Sequence, residues 1–156
     1  GAIKQFIEDV EWGDTEYLVI DLPPGTGDAQ LSIVQTAPLS GGLIVTTPQD
    51  VALVDVKRGV NMFRKLNVPI IGIVENMSYL DVPGTEPVDI FGRGGGRRMA
   101  EKFEVPFLGE IPLDPRIRQG GDSGVPIVES GPDTAAGKAF DALADIVLET
   151  VESPGK

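Results

Sequence analysis

The chain has 156 residues, enough for one domain with a buried core, and we interpret residues 1–156 as a single domain. Its net charge of −11 argues against non-specific binding to nucleic acid or an anionic membrane, and no apolar run is long enough to span a bilayer. The sequence contains neither cysteine nor histidine. It therefore excludes disulfides, thiolate-ligated metals and histidine-dependent hydrolase mechanisms within this chain, and leaves carboxylate and oxygen chemistry, which suits Mg²⁺.

The first predicted elements lead up to an acidic residue, Asp21. Apolar residues at helical spacing predict the end of a helix between Ala2 and Val10. The apolar run Tyr17–Ile20 predicts a buried strand that ends on Asp21, the first charge after the run, and the Pro-Pro-Gly-Thr-Gly segment 23–27 then breaks regular structure. An acid at the carboxyl edge of a strand, before a loop with free N–H groups, suits Mg²⁺ and phosphate. The alternative is a strand that ends in a capping or turn aspartate.

Downstream, the apolar pattern alternates between helical and strand spacing. This order predicts βαβ units, and therefore an α/β fold with a parallel sheet and flanking helices. Residues 112–126 are predicted as a loop with one helical turn at most. The predicted strands are 43–47, 68–74 and 106–111, and the predicted helices are 29–36 with Asp28 as N-cap, 51–66 with Asp50 as cap, 97–103 and 132–151.

Two polar stretches follow the predicted strand 68–74, which is the third predicted strand in chain order. Residues 75–77 are expected to leave that strand at the ligand edge. The Gly-rich stretch 92–97 matches neither a dinucleotide-binding fingerprint nor a Walker A motif. Its arginines could bind an anion, but we favour a mobile hinge loop with solvated charges. The nearby acids are interpreted as solvated loop charges, and they are Glu75, Asp81, Glu86 and Asp89.

Five ordered sequence blocks between about residues 6 and 151 resemble one protein family. The block Asp21-Leu-Pro-Pro-Gly-Thr-Gly-Asp28 is similar to the Walker B/switch II signature of the Mrp/ApbC ATPases. These are MinD-like P-loop proteins associated with iron–sulfur cluster assembly. The other four blocks are Thr46-Thr-Pro-Gln-Asp-Val-Ala-Leu53, Gly72-Ile-Val-Glu-Asn-Met-Ser-Tyr79, Phe91-Gly-Arg-Gly-Gly-Gly96 and Ile111-Pro-Leu-Asp-Pro-Arg116.

The resemblance implies a partial MinD-like P-loop NTPase fold and a role for particular residues. Asp21 would be the Walker B acid that holds Mg²⁺ through water, and Gly25 the switch II glycine whose N–H approaches the γ-phosphate of ATP. The amide of Asn76 offers a donor and an acceptor that can read the adenine edge, or it merely ends a strand in a turn. Pro112 and Asp114 would lie beside the base.

Two features of the family are missing from the sequence. It has no Gly-Lys-Ser/Thr P-loop motif, and residues 80–89, where the family carries a Cys-x-x-Cys pair, contain no cysteine. The resemblance places the P-loop strand beside the Asp21 strand, so its absence predicts unpaired strand edges and self-association, most simply as a homodimer. We therefore expect the C-terminal part of a larger ATPase that alone binds ATP weakly or not at all and does not hydrolyse it.

The implied function is that of an ATP-binding iron–sulfur cluster carrier or assembly protein in the cytoplasm, with nucleotide and iron–sulfur apo-proteins as partners. Whether this chain is itself an ATPase stays open. The alternative is a non-catalytic regulatory or interaction module derived from the same fold. A CheY-like or other doubly wound domain with an aspartate at the carboxyl edge fits the five blocks poorly.

Overall fold

The computed structural model of the protein describes residues 2–23, 27–82 and 84–153. Within these ranges it contains three strands, which are β1 (Gly42–Thr46), β2 (Ile70–Leu80) and β3 (Phe107–Leu113). The same ranges contain helices α1 (Ala2–Glu8), α2 (Asp28–Thr36), α3 (Asp50–Lys65), α4 (Gly95–Phe103), α5 (Pro115–Ser123), α6 (Ile127–Ser130) and α7 (Ala135–Glu152).

The three strands form a parallel sheet with the order β1-β2-β3, so β2 is central. Helix α3 connects β1 to β2, and α4 connects β2 to β3. This arrangement confirms the predicted α/β fold with a parallel sheet and flanking helices. Since all three strands run in the same direction, their carboxyl ends meet at one edge of the sheet, which is where such folds bind ligands.

The main core lies between the sheet and the helices α2, α3 and α4. Val60 of α3 and Ile73 of β2 are completely buried in it, because the apolar face of α3 lies against the sheet. Helix α7 packs against β3 and α6. The buried members of this core cluster are Val34, Ile44, Val56, Val60, Met62, Phe63, Ile73 and Ala100.

The predicted strand Tyr17–Asp21 is wrong. These residues belong to no strand in the structure, and Val19 is 92% exposed. A strand requires a neighbour for its backbone hydrogen bonds, and among the described residues β1 pairs only with β2. The segment is held by other contacts: the Tyr17 hydroxyl donates to Glu152 Oε1, and Leu22 packs against the core cluster.

Two predicted helix caps and one strand end also need correction. Asp28 and Asp50 are the first residues of α2 and α3, and the caps are Gly27 and Gln49, neither with a side-chain cap bond. The carboxylates still lie in the first turn, where they favour the helix dipole. Residues 75–77 do not leave the strand that was predicted at 68–74. They lie within the observed strand β2, which continues to Leu80 with a shift of its register against β3.

The segment 112–126 is more regular than the predicted loop. It holds the end of β3, then α5, and then the approach to α6. Helix α5 forms because Asp114 caps it and Pro115 fits its first turn. In the described ranges, no helix is long and apolar enough to cross a membrane.

Candidate functional site

The carboxyl edge of the sheet brings together three of the predicted site residues. Asn76 of β2 pairs with Ile111 of β3, so Pro112 follows directly beside it and Asp114 lies just beyond the end of β3. The pairing continues at Leu80, opposite Leu113. Parallel register thus brings Asn76, Pro112 and Asp114 close together, and their role in binding a nucleotide base stays a prediction.

Asn76 has hydrogen-bonding capacity left for a ligand. Its Oδ1 accepts from the Met77 N–H at 2.9 Å, and Met77 is in the left-handed region with φ 55°. Within the described residues the Asn76 NH₂ group makes no hydrogen bond, and the oxygen keeps a second lone pair. A donor and an acceptor therefore remain side by side at the edge of the sheet.

Asp114 is occupied by local contacts. Its Oδ1 accepts from the Arg116 N–H at 2.8 Å, which caps α5, and both its oxygens accept from the Arg116 side chain. The side-chain hydrogen bond from Arg116 lowers the pKa of Asp114 below its ordinary 3.8. The carboxylate is only 11% exposed. Asp114 therefore shapes the turn after β3, and buried Pro112 fixes the backbone that leads into it.

Asp21 is exposed, and the structure does not bring it to the end of a strand. The loop after it is held on one side, because the Gln30 side-chain amide of α2 donates to the Pro23 carbonyl at 2.7 Å. Gly25, the predicted switch II glycine, lies outside the described residues. Gln30 is buried, and sequence reasoning missed its contact with this loop.

Glu75 was interpreted from the sequence as a solvated loop charge, and this was wrong. It is 0% exposed within β2. Its Oε1 accepts from Ser78 Oγ at 2.6 Å and from the Gly94 N–H at 2.9 Å, and its Oε2 accepts from the Gly96 N–H at 2.6 Å. The signal available in the sequence was its position at the end of the apolar run 70–74, where a strand interior continues.

The Gly-rich turn, residues 92–96, is ordered by contacts rather than being a free hinge. A Cβ on Gly95 would lie 2.4 Å from the Pro48 carbonyl oxygen, and a Cβ on Gly96 would lie 3.1 Å from Glu75 Cβ. Arg93 pairs with Glu110 at 2.7 Å and stacks 4.6 Å over the Tyr79 ring. The favoured interpretation as a mobile loop with solvated charges is therefore wrong for Arg93.

The other two arginines also have contacts. Arg97 stacks 4.4 Å over the Phe107 ring, and Arg98 Nη1 donates to the Arg93 carbonyl at 3.3 Å. The N–H groups of Gly94 and Gly96 already bind the Glu75 carboxylate. The start of α4 thus binds an anion, as the sequence allowed, but the anion belongs to the chain itself.

Metal binding is the remaining chemical question at this edge. Within the described ranges no group of three Asp or Glu side chains could together hold a metal ion. Mg²⁺ can use one carboxylate together with water and phosphate oxygens, so Asp21 alone would supply a single ligand. The described residues therefore do not form a Mg²⁺ site by themselves, and Mg²⁺ stays a prediction.

Comparison with known proteins finds iron–sulfur proteins among the relatives of this chain. An iron-sulfur cluster carrier protein of Deinococcus radiodurans is 53% identical over 144 residues, which are 92% of this chain and 41% of that protein. The iron-sulfur protein required for NADH dehydrogenase, mitochondrial, of Arabidopsis thaliana is 52% identical over 149 residues, 95% of this chain and 48% of that protein. The chain spans about half the length of the curated relatives it matches.

Solved structures agree on the fold. A nucleotide-binding protein of Archaeoglobus fulgidus, solved in complex with ADP, matches with a TM-score of 0.71 at 40% identity, over 80% of this chain and 51% of that one. The cell division ATPase MinD of Pyrococcus furiosus matches with a TM-score of 0.70 at 26% identity, over 94% of this chain and 57% of that one. The MinD-like resemblance drawn from the sequence is confirmed.

A family model described as NUBPL iron-transfer P-loop NTPase, within ParA, matches residues 1–148. This match covers nearly the whole chain and agrees with the relatives and with the fold. The chain therefore belongs to the ParA-type family of NUBPL iron-transfer P-loop NTPases.

Proposed function

We propose that this chain carries the Walker B/switch II segment and the base-side segments of the nucleotide site in an ATP-binding iron–sulfur cluster carrier or assembly protein. The observation that supports this most directly is the register that sets Asn76 beside Ile111 and Pro112, with free hydrogen-bonding groups on the Asn76 amide. The proposed role of Asn76 in recognising adenine is consistent with the ADP complex of the Archaeoglobus relative.

The residues on the phosphate side of the nucleotide site are proposed from the sequence. Asp21 would contribute a carboxylate near Mg²⁺, and Gly25 a backbone N–H near the γ-phosphate. The sequence contains no Gly-Lys-Ser/Thr motif, which in P-loop proteins supplies most of the phosphate contacts. We therefore propose that ATP hydrolysis belongs to a protein that also carries that motif, and that residues 1–156 form one domain that does not hydrolyse ATP by itself.

An iron–sulfur cluster would be cargo for such a protein. The sequence has no cysteine, so this chain supplies no thiolate ligands to a cluster. The proposed contribution of the chain is the nucleotide-dependent part of the carrier, acting on iron–sulfur apo-proteins as partners. A cytoplasmic location is part of the same proposal.

The experiment is a titration with a fluorescent ATP analogue and Mg²⁺. The chain is measured alone and with a Gly-Lys-Ser/Thr segment from a P-loop protein of the same family fused upstream. We expect micromolar binding only with the fused segment, lost in Asp21→Ala and weakened about tenfold in Asn76→Ala, because two hydrogen bonds to the base disappear.

The matched control is Asn61→Ala, which removes an exposed amide from α3 and should leave the affinity unchanged. Equal affinity of the Asn76→Ala and Asn61→Ala variants would contradict the base-side assignment. If the fused protein binds no nucleotide at all, the alternative of a non-catalytic interaction module becomes the better description.

A further inference from the structure

Glu75 is a fully buried carboxylate that the proposed nucleotide chemistry does not use. Burying a charged group is unfavourable unless hydrogen bonds replace its lost water. Glu75 has three such bonds, from Ser78 Oγ and from the N–H groups of Gly94 and Gly96. The two glycines lie at the start of α4, where the helix dipole favours an anion.

We propose that Glu75 is a positioning residue that fixes Asn76, an inference that rests on the proposed base-side role of Asn76. The Glu75 carboxylate holds the Gly-rich turn on one side and Ser78 on the other. Asn76 and Met77 lie between the two residues of β2 that this carboxylate joins. Their backbone is therefore held from both ends.

The backbone at this point requires such support. Met77 has φ 55°, a conformation that side-chain-bearing residues rarely adopt, and the register with β3 shifts between Asn76 and Leu80. The bond from Ser78 Oγ to Glu75 Oε1 closes a ring across the irregular residues. Within that ring the Met77 N–H reaches Asn76 Oδ1, which sets the direction of the Asn76 side chain.

The hydrogen bonds from the Gly-rich turn to Glu75 connect this part of β2 to the rest of the sheet edge. Gly95 lies against the carbonyl of Pro48, just after β1, and Gly96 lies against Glu75 Cβ and Thr46 Cγ2. Only glycine fits at position 95, and a side chain at position 96 would require its neighbours to shift by a few tenths of an ångström. Glu75 therefore joins the middle of β2, where it pairs with Thr46 at the end of β1, to the start of α4. A neutral side chain at position 75 would weaken the contacts between β1, β2 and α4 around Asn76.

The test uses NMR on the chain itself, comparing Glu75→Gln with the wild type. Glutamine keeps the shape but faces one glycine N–H with a second donor. We expect amide hydrogen exchange to accelerate by about tenfold or more at whichever of Gly94 and Gly96 faces the new NH₂ group, and the side-chain NH₂ resonances of Asn76 to shift. The control Glu101→Gln, an exposed glutamate of α4, should change neither observable.

Ser78→Ala provides a milder second variant if Glu75→Gln fails to fold. It removes one hydrogen bond, and should shift the Asn76 resonances while Gly96 keeps its protection, because Gly96 donates to the other oxygen. Unchanged exchange at Gly94 and Gly96 in Glu75→Gln would overturn the contact itself. Accelerated exchange with unmoved Asn76 resonances would overturn the positioning role.

Millimolar ATP or GTP in the same samples separates this inference from the proposed function. In the wild type we expect ATP, and not GTP, to shift the Asn76 NH₂ resonances, and Glu75→Gln to lose that preference. If neither nucleotide shifts them in the wild type or in the protein with the fused Gly-Lys-Ser/Thr segment, the proposed base site fails. The exchange and resonance results without nucleotide still decide whether Glu75 positions Asn76.

Discussion

At the scale of single residues, Asp114 shows how a predicted ligand residue can have a structural task. Its side chain caps α5 and holds Arg116. We expect Asp114→Ala to lower the free energy of unfolding by about 0.5–2 kcal/mol at pH 7, the usual effect of losing an N-cap. Asp114→Asn keeps the capping oxygen and loses only the ion pair, so it should cost about 0–1 kcal/mol. Urea unfolding measures both.

The pH dependence of this effect has a definite sign. Hydrogen bonding from Arg116 places the pKa of Asp114 below 3.8 in the folded protein. A carboxyl with a lowered pKa stabilises the fold above about pH 3.8, and this contribution is lost as the pH falls through the lowered value. The difference between wild type and Asp114→Ala should therefore shrink as the pH falls below 3.8 and through the lowered pKa of Asp114. The exposed pair Arg118–Asp122 gives the control, since Asp122→Asn should change stability by less than about 0.5 kcal/mol at either pH.

At the scale of secondary-structure elements, the contact between α4 and the end of β1 depends on glycine. A Cβ on Gly95 would lie 2.4 Å from the Pro48 carbonyl oxygen, a backbone atom that cannot rotate away. We expect Gly95→Ala to destabilise the protein by about 1–3 kcal/mol, as other overpacked sites do. Thermal or urea unfolding checks this value.

Gly121 is the matched control for that substitution. It also lies in a helix, α5, and no atom comes within 4 Å of a Cβ built on it. Gly121→Ala should be neutral or stabilise the protein by up to about 1 kcal/mol, because alanine favours the helix. Equal effects of Gly95→Ala and Gly121→Ala would show that α4 is not tightly docked against Pro48.

The comparison of elements also shows what the sequence could predict. Local apolar periodicity was enough for β1, α3 and α7, because residues such as Val60 and Ile44 bury one face of their own element. It failed for Tyr17–Asp21, because a strand also needs a partner that no local pattern reveals. It failed for Glu75, because the Gly94 and Gly96 N–H groups that bind it lie about twenty residues further along the chain. The proximity of Asn76 and Pro112 follows from the parallel register of β2 and β3, whereas their role in a nucleotide site stays a prediction from the family resemblance.

At the scale of the whole molecule, apolar surface stays exposed beside the sheet edge. Within the described residues β1 has a neighbour on one side only, and its Val45 is 59% exposed. Val51 at the start of α3 is 78% exposed, and Val19 belongs to the segment that forms no strand. Exposed apolar groups beside an unpaired strand edge favour association with a second copy. The net charge of −11 opposes it, since two copies repel each other.

These two opposing terms predict how self-association responds to salt. We expect a homodimer by light scattering, and a stronger one when ionic strength rises from about 0.05 M to about 0.5 M, because salt screens the repulsion and leaves apolar contact intact. Val51→Lys should weaken the dimer, whereas Val128→Lys, an exposed valine of α6 away from the β1 edge, should not. A monomer under both salt conditions would contradict the dimer. A dimer that dissociates as salt rises would show instead that ion pairs hold the two copies together.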